Sequence, residues 1–330
     1  MKKRLSIIIV SYNERQYLSE AIESCLQQDV SDYEIIIGDD GSIDGSISLI
    51  KEYQEIYPNI IKYFVMERNT NEDIIPSIRA SNVIKRALTI AEGKYLLFMS
   101  GDDVILGKER LSKQTTFLEN NSDYVGCYSN YNYLWPDGKN QIVVTSTCLL
   151  RSVLWALEYI HISCFVLRRD VINNVLNHFC DDTGMLFSIV KTGRVKHIQM
   201  EGFAYRQREN SIMHETDKME RNLLELLLYQ DILTVHSGKR FRFSSLSRFY
   251  DALFYVSEHK ELLKEQRYRK YRDVALQADG IISCFCNEKE KKTYIRAKQK
   301  ILVGFALFIH LFFRCIRKIE SILLRYKTDK

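Results

Sequence analysis

The stretch Tyr95-Leu-Leu-Phe-Met-Ser-Gly-Asp102-Asp103 decides how this chain is interpreted. Its apolar run has the length of one buried strand, and it stops at a Ser-Gly pair that is typical of a turn. Ligands of an open parallel sheet bind beyond the carboxyl ends of its strands, so the two carboxylates that follow are candidates for binding a hard divalent cation. The alternative is an acidic turn that caps a helix beginning near Lys108.

Strand and helix patterns alternate on both sides of this stretch. Near-continuous apolar strands that alternate with amphipathic helices are typical of a parallel sheet covered on both faces, which predicts an α/β fold. After Asp103 the pattern loosens into a mixed extension of the sheet. The predicted strands are 5–10, 33–38, 60–66, 95–99, 124–130, 141–145, 163–167 and 195–200, and the predicted helices are 14–28, 46–57, 77–91, 108–120 and 183–191.

The composition is that of a globular protein, with 46% apolar and 27% charged residues in a chain of 330. The apolar run at 5–10 is too short for the core of a signal peptide and no cleavage site follows it, so we expect a cytoplasmic protein. The eight cysteines form no CxxC pair, which favours free thiols over disulfides.

Charge divides the chain into two parts. Residues 231–330 contain 22 Lys and Arg against 11 Asp and Glu, a net charge of +11, which leaves −6 for residues 1–230 because the whole chain carries +5. Strand patterns also end near residue 215, and long helical patterns follow at 215–236, 244–259, 260–283 and 288–326. We therefore predict one domain at 1–214 and a helical, basic region at 215–330.

The segment 289–327 has the pattern of a basic amphipathic helix rich in aromatic residues. Its most apolar part, 301–313, is too short to span a bilayer. The pattern favours peripheral binding to an anionic membrane surface, on the inner face of the cell membrane. The alternatives are a helix packed on its own domain and a homo-oligomer contact. A nucleic-acid partner is not expected, since the aromatic residues form an apolar stripe and do not alternate with basic ones.

Two further strand ends carry polar side chains. The first strand is followed by Ser11-Tyr12-Asn13-Glu14, in which Asn13 is expected to cap the next helix and Tyr12 offers a flat ring to a base. The second is followed by Asp39 and Asp40 in a glycine turn; a carboxylate there can accept the imide N–H of uracil, or form an Asx-turn. Because parallel strands end at one edge of a sheet, these loops and Asp102-Asp103 are expected to form one site.

These motifs, in this order and spacing, resemble the family-2 glycosyltransferases of the GT-A fold. The resemblance covers roughly residues 4–212. It implies a mostly parallel twisted sheet with helices on both faces, followed here by a C-terminal helical extension. The matching segments are Val10-Ser-Tyr-Asn-Glu14, Asp39-Asp-Gly-Ser-Ile-Asp-Gly45, Ala91-Glu-Gly-Lys-Tyr95 and Ser100-Gly-Asp-Asp103.

The resemblance also implies roles for individual residues. Asp102 would face the ribose, and Asp103 would bind Mn²⁺ or Mg²⁺ across the diphosphate. Ser100 stands where the family often has a further Asp. The family often has Arg-Asn in the helix before the fourth strand; the nearest positions here are Ile84-Lys85, and Arg79 lies about one and a half turns earlier. The predicted donor-binding residues are Ser11, Tyr12, Asn13, Glu14, Asp39, Asp40, Arg79, Asp102, Arg206 and Arg208.

Two segments of the second half complete the implied site. Asp182, in Cys180-Asp181-Asp182, matches the family's general base, which deprotonates the attacking hydroxyl; the alternative is a helix cap. Arg206 and Arg208 follow the last core strand and are either phosphate clamps or a solvated edge. His161 and His197 lie near apolar strands, where core histidines are more common than ligands.

The implied reaction is inverting transfer of a sugar from a nucleotide-diphosphate donor, a UDP-sugar, to a hydroxyl group. The acceptor would be a glycan or a lipid-linked glycan in cell-surface polysaccharide synthesis. The alternative is a catalytically inactive scaffold of the same fold that binds nucleotide sugars or glycans. The presence of Asp40, Asp103 and Asp182 favours the enzyme.

Overall fold

The structure is a computed structural model that describes residues 3–68, 76–145, 160–172, 182–208, 217–235, 252–253, 255–256, 259–266 and 268. The chain divides into two compact units. The first is formed within residues 1–149 and 160–215, and the described residues from 217 onward belong to the second. That residues 1–214 and 215–330 are separate domains stays a prediction.

The first half of the first unit alternates strands and helices, as the sequence predicts. Three of the four strands are almost entirely buried, the third strand along the chain is only partly buried, and each helix buries one face. The elements are β1 (Leu5–Ser11), α1 (Arg15–Leu26), β2 (Tyr33–Asp39), α2 (Ser46–Ile56), β3 (Ile61–Val65), α3 (Pro76–Ile90) and β4 (Tyr95–Ser100).

The second half of this unit is more irregular. Short 3-10 helices flank β8, and β6 and β7, near the strands predicted at 124–130 and 141–145, pair antiparallel in a hairpin. The elements are β5 (Val104–Ile105), α4 (Arg110–Asn120), β6 (Tyr124–Leu134), β7 (Asn140–Val143), β8 (Phe165–Arg168), α5 (Asp182–Thr192) and β9 (Arg194–Arg206).

The strands of the described residues form one mixed sheet. Its order is β3-β2-β1-β4-β8-β6-β9-β5, with β7 paired to β6. The strands β3, β2, β1 and β4 are parallel, and β8 is antiparallel to β4 and β6. Strand β9 is parallel to β6, and β5 is antiparallel to β9. The predicted α/β class with a mixed extension is confirmed.

The register of the parallel strands brings the polar strand ends together. Ser11 of β1 pairs with Asp39 of β2, and Val10 pairs with Ser100 of β4. The loops that follow these three strands therefore leave the sheet side by side, as the sequence predicts.

Close packing on both faces holds this edge in place. Ile7 and Ile9 are fully buried in the cluster that contains Leu18 and Ile22 of α1, and burying such a side chain contributes about 1.5–3 kcal/mol. On the other face α3 lies so close to β2 that a Cβ at Gly38 would be 2.4 Å from Val83 Cγ1. Cys25, Cys127 and Cys164 are buried and unpaired, as expected.

Several element bounds differ from the prediction. Strand β5 has only two residues and was not predicted, since so short a segment has no readable periodicity. Strand β9 runs from Arg194 to Arg206, whereas 195–200 was predicted. Its pairing with β6 shifts register between Tyr124 and Gly126 and twice between Tyr128 and Tyr131. These irregularities break the strict alternation of buried and exposed residues by which a strand is recognised.

The second unit begins with α6 (Lys218–Val235), which agrees with the helix predicted at 215–236. Asp217 Oδ1 accepts the backbone N–H of Glu220 at 2.9 Å and so satisfies a donor in the first turn. The helix predicted at 260–283 is wrong at its start, because Lys260–Lys264 is a 3-10 helix and Glu265 is extended. No helix among the described residues is both long enough and apolar enough to cross a membrane. Segment 289–327 lies outside the described residues.

Candidate active site

The loop after β1 is held by side chains from the loop after β2. Asn13 has a left-handed backbone (φ 52°), its N–H donates to Ser42 Oγ at 2.8 Å, and its Oδ1 accepts the N–H of Ile43 at 3.0 Å. The prediction that Asn13 caps α1 is therefore wrong. Asp44 does this instead, since its Oδ2 accepts the N–H of Arg15, the first residue of α1, at 2.9 Å.

Asp39 is committed to the shape of its own loop. Its Oδ1 accepts the N–H of Ser42 at 2.7 Å, and its Oδ2 accepts the Ser42 hydroxyl at 2.7 Å. Burial raises the pKa of Asp39, although the hydrogen bonds from Ser42 lower it. Gly41 takes the left-handed conformation (φ 78°) that the tight turn requires. Asp39 thus closes the turn from 39 to 42 through its own side chain, and its donor-binding role stays a prediction.

Asp40 carries a paired carboxylate beside an aromatic ring. Arg79 Nε donates to both of its oxygens, at 2.9 and 2.8 Å, and both side chains are buried. Arg68 Nη2 lies 3.5 Å from Asp40 Oδ2, and its guanidinium lies 3.7 Å from the ring centroid of Tyr12. The structure thus brings together the predicted residues Tyr12, Asp40 and Arg79. It adds Arg68, which the sequence analysis missed.

Tyr12, Asp40 and Arg68 are among the residues that line a cavity of about 1220 Å³. Ser11, Asp40 and Glu14 are buried, whereas Tyr12 is 39% exposed. Among the described residues, the Ser11 hydroxyl has no hydrogen-bond partner. The polar and aromatic residues of its lining include Tyr12, Asn13, Glu14, Asp40, Asp44, Arg68, Ser100 and Arg208.

Three carboxylates meet where β4 ends. Asp102 and Asp103 are buried, and burial followed by repulsion from Asp102 raises the pKa of Asp103 well above its ordinary value. The same two causes, in the same order, raise the pKa of Glu14. Ser100 Oγ donates to Glu14 Oε1 at 3.3 Å, and a Cβ at Gly101 would lie 2.6 Å from Glu14 Oε2. Only glycine at 101 therefore lets Glu14 approach.

Two arginines balance this negative charge. Arg208 Nη2 donates to Glu14 Oε1 at 3.1 Å. Its Nε lies 2.6 Å from Asp102 Oδ2 without hydrogen-bond alignment, so this contact is an ion pair. Arg206 donates its N–H to Asp103 Oδ1 at 3.1 Å and its Nε to the carbonyl of Asp102 at 2.8 Å. Both arginine side chains are mostly buried, so the alternative of a solvated edge is wrong.

Asp102 and Asp103 fit a divalent cation. Burial and then repulsion from Asp102 raise the pKa of Asp103, and Glu14 Oε2 has no hydrogen-bond partner among the described residues. No group of three or more His, Cys, Asp or Glu side chains is arranged to hold a metal within the described part of the chain. A Mg²⁺-like ion bound by one or two carboxylates takes its remaining ligands from water and substrate phosphates.

Asp182 and this acidic pair line a second, smaller cavity. Asp182 is the first residue of α5, its side chain is 31% exposed, and its Oδ2 lies 4.0 Å from His161 Nδ1. The cavity has a volume of about 240 Å³. Its lining includes Asp102, Asp103, Asp182, His161 and Tyr205, and it shares Val10, Glu14, Ala80, Ser100 and Arg208 with the larger cavity.

His161 is buried among aromatic rings, as the interpretation of a core histidine predicts. Its ring centroid lies 4.1 Å from that of Tyr205, and burial lowers its pKa although Asp182 raises it. Burial, followed by the nearby Asp103 carboxylate, raises the pKa of Tyr205 to about 12. A neutral imidazole and a protonated phenol therefore border the cavity.

Three residues line the cavities but were not predicted as site residues from the sequence: Arg68, His161 and Tyr205. Arg68 lies three residues beyond β3, so a search of every parallel strand end would have found it. His161 and Tyr205 reach the cavity only because β4, β8, β6 and β9 are neighbours in the sheet. That order has no signal in the sequence of the separate segments.

Known proteins resemble this chain in sequence and in fold. The family model described as Glycosyl transferase family 2 matches residues 6–188, which is more than half of the chain. The poly(ribitol-phosphate) beta-glucosyltransferase of Bacillus spizizenii is 37% identical over 123 residues, covering 36% of this chain and 18% of that protein. The uncharacterized glycosyltransferase MJ1057 of Methanocaldococcus jannaschii is 37% identical over 124 residues, covering 37% and 39% respectively. The chain thus spans less than half the length of these relatives.

Among solved structures, residues 1–349 of S. aureus TarS in complex with UDP-GlcNAc share the fold. The TM-score is 0.59 at 17% identity, over 92% of this chain and 89% of that one. This likeness confirms the predicted GT-A architecture. The family model, the relatives and the fold agree, and the chain belongs to glycosyl transferase family 2.

Proposed function

We propose that this protein is an inverting, metal-dependent glycosyltransferase that uses a UDP-sugar. It would transfer the sugar to a hydroxyl of a glycan or lipid-linked glycan in cell-surface polysaccharide synthesis. One observation carries the proposal: Asp102, Asp103 and Asp182 line one cavity, which adjoins the larger cavity at Tyr12 and Asp40. The relatives support it, since one transfers glucose to poly(ribitol phosphate) and TarS was solved with UDP-GlcNAc.

The larger cavity would hold the nucleotide. Tyr12 offers a partly exposed ring for the base, and Arg79 orients the carboxylate of Asp40 so that an oxygen edge can accept the imide N–H of uracil. Asp102, in the lining of the adjoining smaller cavity, would face the ribose. The donor would therefore extend from Tyr12 toward the acidic pair.

The diphosphate would lie at the wall that the two cavities share. Asp103 would hold Mn²⁺ or Mg²⁺, which when bound stabilises negative charge on the departing diphosphate. Arg208 already lies between Glu14 and Asp102, within reach of a phosphate placed there. A guanidinium suits this task because it remains charged and binds phosphate oxygens in pairs.

Asp182 would act as the general base. The acceptor hydroxyl oxygen attacks C1 of the sugar, its proton passes to the Asp182 carboxylate, and the bond from C1 to the diphosphate oxygen breaks. Asp182 and the acidic pair line the same cavity, so the attacking and leaving oxygens can lie on opposite faces of C1. Such an attack inverts the configuration at C1.

A panel of nucleotide sugars tests the donor side. UDP-sugars with Mn²⁺ are expected to raise the melting temperature (Tm) of the protein more than GDP- or ADP-sugars, because only the bound folded state is stabilised. The purified protein should also hydrolyse its donor slowly. Asp103→Asn is expected to remove the Mn²⁺-dependent part of the Tm increase, whereas Asp170→Asn, at an exposed site, should not. Donor binding without any hydrolysis or transfer would indicate the inactive scaffold and contradict the proposal.

A further inference from the structure

A row of three aromatic side chains leads from the smaller cavity to the surface. Tyr205 lines the cavity, and Tyr133 pairs with it in the register of β6 and β9. Trp135 follows two residues after Tyr133. The ring centroids are 6.0 Å apart from Tyr205 to Tyr133 and 6.1 Å apart from Tyr133 to Trp135. Tyr205, Tyr133 and Trp135 are called the aromatic row below.

Each member of the aromatic row is held by its own neighbours. Tyr205 packs against His161 at 4.1 Å, and the Tyr133 ring meets Tyr131 edge-on at 5.5 Å. Trp135 lies in a hairpin turn: its N–H donates to the carbonyl of Lys139 at 3.0 Å, and its carbonyl accepts the N–H of Gly138 at 2.9 Å. A ligand would therefore meet a surface that is already ordered, which lowers the entropic cost of binding.

The aromatic row is not explained by core packing. Trp135 is 39% exposed, and Tyr133 and Tyr205 are half-buried, whereas the adjacent Tyr131 and Phe203 are buried. Rings with one apolar face open and one polar edge are typical of binding surfaces.

We propose that the aromatic row is the subsite for the acceptor glycan, and that it binds the pyranose rings that precede the reacting sugar. This inference rests on the proposed transfer reaction, because the row begins at the cavity that holds Asp182. Pro136, next to Trp135, lines the donor cavity, so the row runs along the rim of both cavities. An acceptor stacked on Tyr133 and Trp135 would present its terminal sugar to Asp182.

The chemistry of the row favours pyranose rings over a polyol phosphate chain. The C–H faces of a pyranose pack on aromatic rings, and its hydroxyl groups can bond to the Tyr133 and Tyr205 phenols. A phosphate chain would meet the carboxylates of Asp102, Asp103 and Asp182 at the inner end of the row. At the outer end Lys139 is paired with Asp137 at 2.6 Å, so the two charges balance.

Binding of neutral oligosaccharides tests the inference on the full-length protein. The chain has two tryptophans, and Trp155→Phe leaves Trp135 as the only one. Cello-, malto-, chito-, galacto- and rhamno-oligosaccharides of two to six rings are titrated into this variant with UDP and Mn²⁺ present. At least one oligosaccharide series should change the fluorescence of Trp135 until the signal saturates. Within that series, the affinity for the protein should rise with the number of rings.

Calorimetry on ring variants of the otherwise unaltered chain locates the contact. Trp135→Ala and Tyr133→Ala should each weaken binding of the responding series about two- to tenfold, the loss expected for one aromatic contact, whereas Trp135→Phe should restore most of it. Ile142→Ala is the control: this exposed side chain pairs with Asn132 and so lies on the other face of the hairpin.

Donor binding and donor hydrolysis by the same variants separate this inference from the proposed function. Both should be unchanged in Trp135→Ala. If every variant binds oligosaccharide equally, if no series binds, or if only poly(ribitol phosphate) binds, the aromatic row is not a pyranose subsite. If the unaltered chain neither binds nor hydrolyses any nucleotide sugar, the proposed function itself is wrong.

Discussion

Arg208 carries the positive charge closest to the carboxylates of Glu14 and Asp102. Its contacts are 3.1 and 2.6 Å long, and all three side chains are largely buried. Removing one partner of such a pair leaves uncompensated buried charge, which costs about 3–5 kcal/mol. Arg208→Gln is therefore expected to lower the Tm of the free protein. Mn²⁺ should raise the Tm of this variant more than that of the unaltered protein, because the cation replaces the missing charge.

The control for this prediction is Arg194→Gln. Arg194 pairs with Asp123 at 2.7 Å, but both side chains are more than half exposed, and exposed ion pairs contribute little to stability. Thermal denaturation of the three proteins with and without Mn²⁺ measures the difference. If Mn²⁺ raises the Tm of Arg208→Gln and of the unaltered protein equally, the cation does not compensate for the missing charge of Arg208.

His161 links stability to pH. Its folded-state pKa is lowered by burial, from an ordinary value of 6.5, so below that pH the unfolded chain binds more protons than the folded one. The contribution of His161 to stability is thus lost as the pH falls from about 6.5 toward the folded-state pKa. In His161→Gln the loss of unfolding free energy on acidification, measured by urea denaturation, should be smaller than in the unaltered protein. An identical loss in both proteins would contradict this assignment.

At the scale of elements, Asp44 joins two helix starts. Its Oδ2 accepts the N–H of Arg15 in α1, and its Oδ1 accepts the N–H and the hydroxyl of Ser46 in α2, at 3.0 and 2.6 Å. Burial raises the pKa of Asp44, but the hydrogen bonds from Ser46 and Arg15 together lower it by more than burial raises it. The pKa of Asp44 is therefore below its ordinary value. The carboxylate therefore remains charged at both helix N-termini, where negative charge is favourable.

Asp44→Ala is expected to destabilise the protein by about 2 kcal/mol, because each lost cap costs about 0.5–2 kcal/mol. Asp44→Asn keeps one oxygen acceptor and should cost less. Both variants should also weaken UDP binding, since Asp44 holds the loop that contains Asn13 against the loop after β2. Unfolding free energies from urea denaturation and UDP affinities from calorimetry measure these effects. If Asp44→Ala costs no more than Asp44→Asn, the double cap is not what orders the loops.

The strands of the parallel half could be predicted from the sequence, whereas the contacts of their loops could not. The parallel half was predictable because apolar runs mark β1, β2, β3 and β4, and parallel strands must end together. The contacts of Asp39 with Ser42 and the cap of α1 were not, because Ser42, Asn13 and Asp44 can all form hydrogen bonds within their own loops. The contacts between loops decide, and those depend on the register of β1 with β2.

At the scale of the whole molecule, the site is assembled from both halves of the first unit. The loops with Tyr12, Asp40 and Asp103 follow parallel strands, whereas Asp182, His161 and Tyr205 come from segments that join the sheet through β8, β6 and β9. The resemblance to the family identified Asp182 through its sequence motif. The aromatic row had no such motif, and only the pairing of Tyr133 with Tyr205 revealed it.

The most direct test of the central claim is the effect of Asp182→Asn on donor turnover and donor binding, measured together. The UDP-sugar and Mn²⁺ should bind with unchanged affinity, because the proposed metal ligand is Asp103 and Asp182 would contact the acceptor. Transfer of the sugar, to acceptor or to water, should fall about 100- to 10,000-fold, the usual contribution of a general base. Asp181→Asn, which alters the neighbouring carboxylate, should retain turnover. Full turnover in Asp182→Asn, or a loss of donor binding equal to the loss of turnover, would contradict the account.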